Sequence, residues 1–250
     1  MAGIGMEFLA VLLAGAFAGG IVNGLAGFGT ALFALGFWLQ VLPAAQAVAM
    51  VVVMSVVSGL QGLWVVRGEI RRNPGRLARF LLPALVGIPL GVTLLSLVSA
   101  AMIKIVIAGF MLLYGGFFLA RRSLPCLHRS TPVLDSLVGF AGGVLGGAAS
   151  LSGALPTMWC AMRPWPKGET RAVLQPFNVV VLAVTGLLFL LNGLYTPQTV
   201  TLMAIALPVT MVGAHLGLAI FHRLADEQFR FLLIFLMFTS GAILAVREMV

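Results

Sequence analysis

Formal charge in this 250-residue chain is almost confined to a few short connections. None lies between Glu7 and Arg67, and none between Arg171 and Arg223. Apolar residues make up 61% of the chain and charged residues 9%; a soluble globule is about half apolar and about a quarter charged. So few ionic side chains cannot cover a water-facing surface, so lipid must solvate most of the chain. Backbone groups facing lipid have to be satisfied within their own segment, which makes the spans helical. The expected class is an all-α polytopic membrane protein. A net charge of +8 raises the question of nucleic acid, but the 15 basic and 7 acidic residues are scattered and form no dense basic face. Cys126 and Cys160 give neither a spaced metal set nor a disulfide framework, so no metal and no cofactor is expected.

Cut at charged, Gly-rich and Pro-rich breaks, the apolar runs give about ten helical segments. The first five are approximately 6–22, 30–42, 45–66, 77–97 and 102–120. The second five are approximately 134–148, 153–162, 170–191, 198–221 and 229–247. Ala14-Gly15-Ala16 looks like a signal-peptide cleavage site, but the run lacks a basic leader and carries Glu7, so it reads as a span. Basic residues cluster after segments three, five, seven and nine: Arg67 to Arg79, Arg121 to Arg129, Arg163 to Arg171, and Arg223 with Arg230. By the positive-inside rule these four connections are cytoplasmic and both termini lie on the other side, in a multi-pass inner-membrane protein. Segments two and seven are too short to cross a core about 30 Å thick. Each is expected to form a re-entrant-like hairpin with the segment before it.

The halves repeat. Gly19-Gly20-Ile21-Val22-Asn23-Gly24 lies over Gly142-Gly143-Val144-Leu145-Gly146-Gly147 at an offset of 123, which also maps Pro43 onto Pro166. Further along the offset becomes 126, matching Gly87 and Gly91 to Gly213 and Gly217. The charge-derived topology starts one copy outside and the other inside, so residues 1–125 and 126–250 are expected to be inverted repeats of five segments each. Inverted repeats with interrupted helices are an architecture of secondary transporters, with the site at the repeat interface.

Candidate site residues follow from that plan. The first hairpin tip, Asn23 to Thr30, offers Asn23, Gly24, Gly27, Gly29 and Thr30; the second offers Gly147, Ser150, Ser152 and Gly153. Glycine lets a ligand approach the backbone, and a helix starting at each tip presents unpaired N–H groups to an anion. Arg171, Gln175, Asn178 and Thr185 share one face of the following helix, and Ser55 is the counterpart of Asn178. These polar side chains serve either substrate or interhelical packing. His215 is the one ionisable side chain well inside a span, and either carries a coupled proton or bonds a neighbouring carbonyl. No Asp or Glu is membrane-centred, which disfavours cation transport and points to a small anion.

The paired tips, each followed by a proline and then a Ser- or Asn-bearing helix, resemble the TauE/SafE family of sulfite and organosulfur anion permeases over approximately residues 6–247. The resemblance implies a permease for sulfite, a sulfonate or a similar anion, bound between the tips near Ser55 and Asn178, in the lipid bilayer and open to oligomerisation. Family tips often carry adjacent glycines; here they read Gly27-Phe28-Gly29 and Ser152-Gly153, so the resemblance leaves the anion open. Two alternatives stand beside it. One is an intramembrane serine hydrolase using Ser150 or Ser152 with His215, although the residue two before Ser152 is Ser150 where rhomboid-type enzymes have glycine. The other is a non-transporting membrane assembly protein.

Overall fold

A computed structural model describes residues 5–97, 109, 112, 116, 127 and 129–249. Among the described residues there are nine helices and no strand: α1 (Met6–Ala26), α2 (Thr30–Trp38), α3 (Ala44–Arg72), α4 (Pro74–Leu97), α5 (Pro132–Ala149), α6 (Ala154–Ala161), α7 (Lys167–Leu191), α8 (Pro197–Arg223) and α9 (Asp226–Met249). Five of them, α1, α3, α4, α7 and α8, are long and apolar enough to cross a membrane. Large apolar side chains cover their outer faces: Trp64 is 70% exposed, Val86 64% and Leu191 74%. Such a surface needs lipid against it. The chain is an all-helical polytopic membrane protein.

Each predicted segment meets one helix, except that 102–120 lies outside the described residues apart from 109, 112 and 116, which are helical. The helix ends have local causes. Pro43 and Pro166 sit just before α3 and α7 and stop the preceding chain from continuing as helix. Thr196 caps α8 by accepting from the Thr199 N–H at 3.2 Å, with Pro197 in the first turn. Arg71 and Arg72 end α3, while Asp226 and Glu227 begin α9, each matching the helix dipole.

The basic connections meet at one end of the bundle. Arg76 at the start of α4 pairs with Glu169 at the start of α7. Arg79 donates to Ser130 Oγ at 3.2 Å. Lys167 Nζ donates to the Phe221 and His222 carbonyls, and its backbone N–H to Asp226 Oδ1 at 3.0 Å. Arg230 donates to the Arg163 carbonyl at 3.2 Å. This is the basic end.

The closest packing pairs α4 with α5 and α1 with α8, followed by α3 with α7. Glycines make those pairs possible. In one, Gly20 and Gly24 lie against the carbonyls of Thr210 and Ala214, and Gly213 and Gly217 against those of Phe17 and Ile21. In the other, Gly143 and Gly147 meet Ala84 and Ile88, and Gly87 and Gly91 meet Phe140 and Val144. A side chain at any of these positions would overlap a backbone oxygen, so the stripes let helix backbones touch. Adding 123 to the α1 numbers gives the α5 residues of the second interface, and adding 126 to the α4 numbers of the second gives the α8 residues of the first, residue for residue. Gly217→Ala is expected to cost about 1–3 kcal/mol through overpacking. Gly68→Ala, which points into open space, should be neutral or slightly stabilising in the same denaturation experiment in detergent.

The same packing explains where the first tip begins. Asn23 to Ala26, expected in the turn, continues α1, because Gly24 is needed on the face that meets α8. Gly147 likewise stays inside α5. The turns narrow to 27–29 and 150–153. The returning helices α2 and α6, of 9 and 8 residues, are each far too short to cross. Trp38 holds α2 against α1 by donating from Nε1 to the Leu12 carbonyl at 2.9 Å.

Candidate functional site: a cavity between two hairpin tips

At the first tip the chain reverses through Gly27 and Gly29, at φ +85° and +98°. Left-handed backbone of this kind favours glycine. At the second tip the reversal is made by Ser150 at φ +56°, the one non-glycine residue with positive φ among the described residues. Its N–H bonds the Gly146 carbonyl at 3.0 Å. The tips touch: Phe28 is buried, and a Cβ at Gly153 would lie 2.7 Å from it.

Between them is a narrow cavity of about 10 Å³, room for about one water molecule. Phe28 to Ala31 line it from the first tip, Ser150, Leu151, Gly153 and Ala154 from the second, Ser55 from α3, and Asn178 and Leu182 from α7. Three buried polar atoms of this lining have no hydrogen-bond partner: Thr30 Oγ1, Ser150 Oγ and Asn178 Nδ2. A buried, unsatisfied polar group costs about 1–3 kcal/mol, so three around one space mark a place prepared for a polar guest. Ser152 stands just behind. Its hydroxyl donates to Asn178 Oδ1 at 2.7 Å, which fixes the amide with its NH2 group left free.

Among the described residues no carboxylate lines the cavity. The groups that face it are hydroxyls, an amide and the N-terminal turn of α2, whose first N–H groups have no partner within the helix. The second tip contributes less backbone: Ala154 N–H already bonds the Leu151 carbonyl at 3.3 Å, and Pro156 has no N–H to give. Such a set stabilises an anion and offers a cation little.

The other candidate residues occupy different places. Asn23 does not line the cavity; its amide donates to Ser58 Oγ at 2.6 Å and to the Ser55 carbonyl at 3.2 Å, joining α1 to α3. Gly24 and Gly147 are packing positions. Gln175 lies beneath Gly27 and donates to the Gly59 carbonyl at 3.0 Å. His215 is exposed on α8, between Gly213 and Gly217 and thus round the helix from the face that meets α1. It points away from the cavity, so neither the coupled proton nor the serine hydrolase has its imidazole at the site.

Arg171 is the residue whose role the sequence reading missed. It is fully buried, and its partners are all neutral oxygens: the Gly24 carbonyl at 2.6 Å, the Leu25 carbonyl at 3.2 Å, and Gln175 Oε1 at 3.0 and 3.2 Å. The two carbonyls belong to the last turn of α1, which lacks partners within the helix. The guanidinium thus caps the negative end of the helix leading into the first tip, and it lies 4.3 Å from the Phe221 ring centre. Its spacing from Gln175 and Asn178 was the available signal.

A family model described as Sulfite exporter TauE/SafE matches residues 11–244. No curated protein and no solved structure matches the chain.

Proposed function

The chain belongs to the sulfite exporter TauE/SafE family, and on that premise we propose that it exports a small oxyanion, such as sulfite or a sulfonate, by alternately exposing the cavity between the hairpin tips. Membership makes it a membrane transporter of the sulfite and organosulfur anion type rather than an enzyme. The observation that supports the binding site is the convergence of three unpartnered donors, Thr30, Ser150 and Asn178, from both halves of the chain on one space.

Alternating exposure draws its support from the exchanged interfaces. The α1–α8 and α4–α5 glycine contacts interconvert under the sequence offsets, as expected of two copies related by a two-fold axis. With the tips on such an axis, rocking one copy against the other opens the cavity to either side in turn. The gathering of basic connections at one end supports a cytoplasmic basic end. With the cell interior negative, each anionic charge leaving gains about 2.3 kcal/mol per 100 mV. Export then needs no coupling ion.

Sulfite efflux from proteoliposomes tests the reading. Ser150→Ala and Thr30→Val each remove one hydrogen bond to a charged guest, about 1.5–3 kcal/mol, so each is expected to raise the half-saturating sulfite concentration about tenfold or more. Unchanged saturation in both variants would remove the site.

A further inference from the structure

A second cavity lies at the basic end, distinct from the one between the tips. Its volume is about 170 Å³, against about 10 Å³ for the other, and it lies between the start of α4, the residues before α5 and the α6–α7 connection. Arg76, Arg79, Arg129 and Arg163 face it, with Asp135 and Trp165. Their charges do not cancel. Asp135 is taken by Arg163, at 2.8 Å, and by Trp159 Nε1, at 2.7 Å. Arg76 is taken by Glu169 and lies 4.2 Å from the centre of the Trp165 ring. Among the described residues, four guanidiniums against these two carboxylates leave two charges uncompensated, those of Arg79 and Arg129.

Arg163 shows that the cavity is built rather than a chance cluster of surface charge. Only 3% of it is exposed, and its Nη atoms are held by the Arg129 carbonyl at 2.5 Å, by Thr131 and by Asp135. Its Nε is buried with no partner. A guanidinium fixed on one edge with a free N–H on the other is preorganised for an oxyanion. The start of α5 at the rim adds a positive helix end. An unpartnered buried donor, two uncompensated charges and a larger volume fit a group that is bulkier and has more oxygens than the guest of the inner cavity.

We propose that this basic-end cavity binds a phosphate-type dianion, whether inorganic phosphate from solution or the headgroup of an anionic phospholipid. The two sources share one chemistry: tetrahedral oxygens with up to two negative charges, matched by Arg79, Arg129 and the free Nε of Arg163. The inference does not depend on the transport reading, because it uses none of the residues between the tips.

The test uses the full-length protein purified in detergent and stripped of lipid. Its thermal stability is followed in one arm against inorganic phosphate at constant ionic strength. In the other arm, short-chain phosphatidic acid is compared with phosphatidylcholine. Stabilisation by phosphate, or by phosphatidic acid alone, supports the site and identifies the source as solution or lipid. Arg79→Gln and Arg129→Gln, both on exposed side chains, are each expected to weaken that binding about tenfold. Ser150→Ala should leave it unchanged. No stabilisation in either arm, or equal binding by the wild type and the Arg79→Gln/Arg129→Gln double variant, would overturn the proposal. Loss on Ser150→Ala would also overturn it by locating the anion between the tips. Failure of sulfite efflux would leave it standing.

Discussion

Asn178→Asp is expected to abolish anion flux while leaving a folded protein. The side chain keeps its size, and its Oδ1 still accepts from Ser152, whose hydroxyl donates at 2.7 Å. What changes is the free group facing the cavity, from an NH2 donor to a carboxylate oxygen. Two negative charges about 4 Å apart repel by about 4 kcal/mol at an effective dielectric near 20. The lost hydrogen bond adds about 1.5–3 kcal/mol. Together these lower anion affinity by about a thousandfold or more, beyond what saturating sulfite can restore in a flux assay. Asn178→Ala removes only the donor and should retain measurable flux with weaker saturation. Equal activity of the aspartate variant and the wild type would show that the anion does not pass Asn178.

Arg171→Met is expected to cost more stability than any other single change on α7. Methionine fills much of the same volume but leaves the Gly24 and Leu25 carbonyls and Gln175 Oε1 without their donor. Each orphaned acceptor costs about 1–3 kcal/mol, and relief from burying a charge offsets part of that. A net loss of about 3 kcal/mol is the expectation for denaturation in detergent. The change also removes a fixed positive charge seven residues, or about 10 Å, along α7 from Asn178. At that distance it favours an anion by about 2 kcal/mol at the same effective dielectric. Arg171→Lys keeps the charge but loses the fork. It should therefore keep more flux than Arg171→Met while recovering little of the stability.

Much of this molecule was legible in the sequence because lipid leaves few options. Long uncharged runs had to be helices, basic clusters had to gather at one end, and segments as short as α2 and α6 had to turn back. The two tips, Ser55 and Asn178 were legible as well, and the structure brings them to one cavity. What failed was the assignment of partners to faces. Helical spacing puts Asn23 on a buried face but does not say whether Ser58 or a ligand waits there. It puts Arg171 beside Gln175 but hides the carbonyls it reaches 146 and 147 residues away. His215 could have been placed better. The Gly213–Gly217 stripe already marked the packed face of α8, and a residue midway between the two glycines lies on the opposite side. Ser150 in left-handed conformation did have a signal, since the offset of 123 lays it over Gly27, which turns the first tip at φ +85°, although a serine by itself does not announce positive φ.

Anomalous diffraction from crystals grown with selenite, a heavier analogue of sulfite, tests the shared inner cavity most directly. A selenium peak is expected between the tips, with its oxygens within about 3.5 Å of Thr30 Oγ1, Ser150 Oγ and Asn178 Nδ2. A peak at the basic end alone, with none between the tips at saturating selenite, would contradict it.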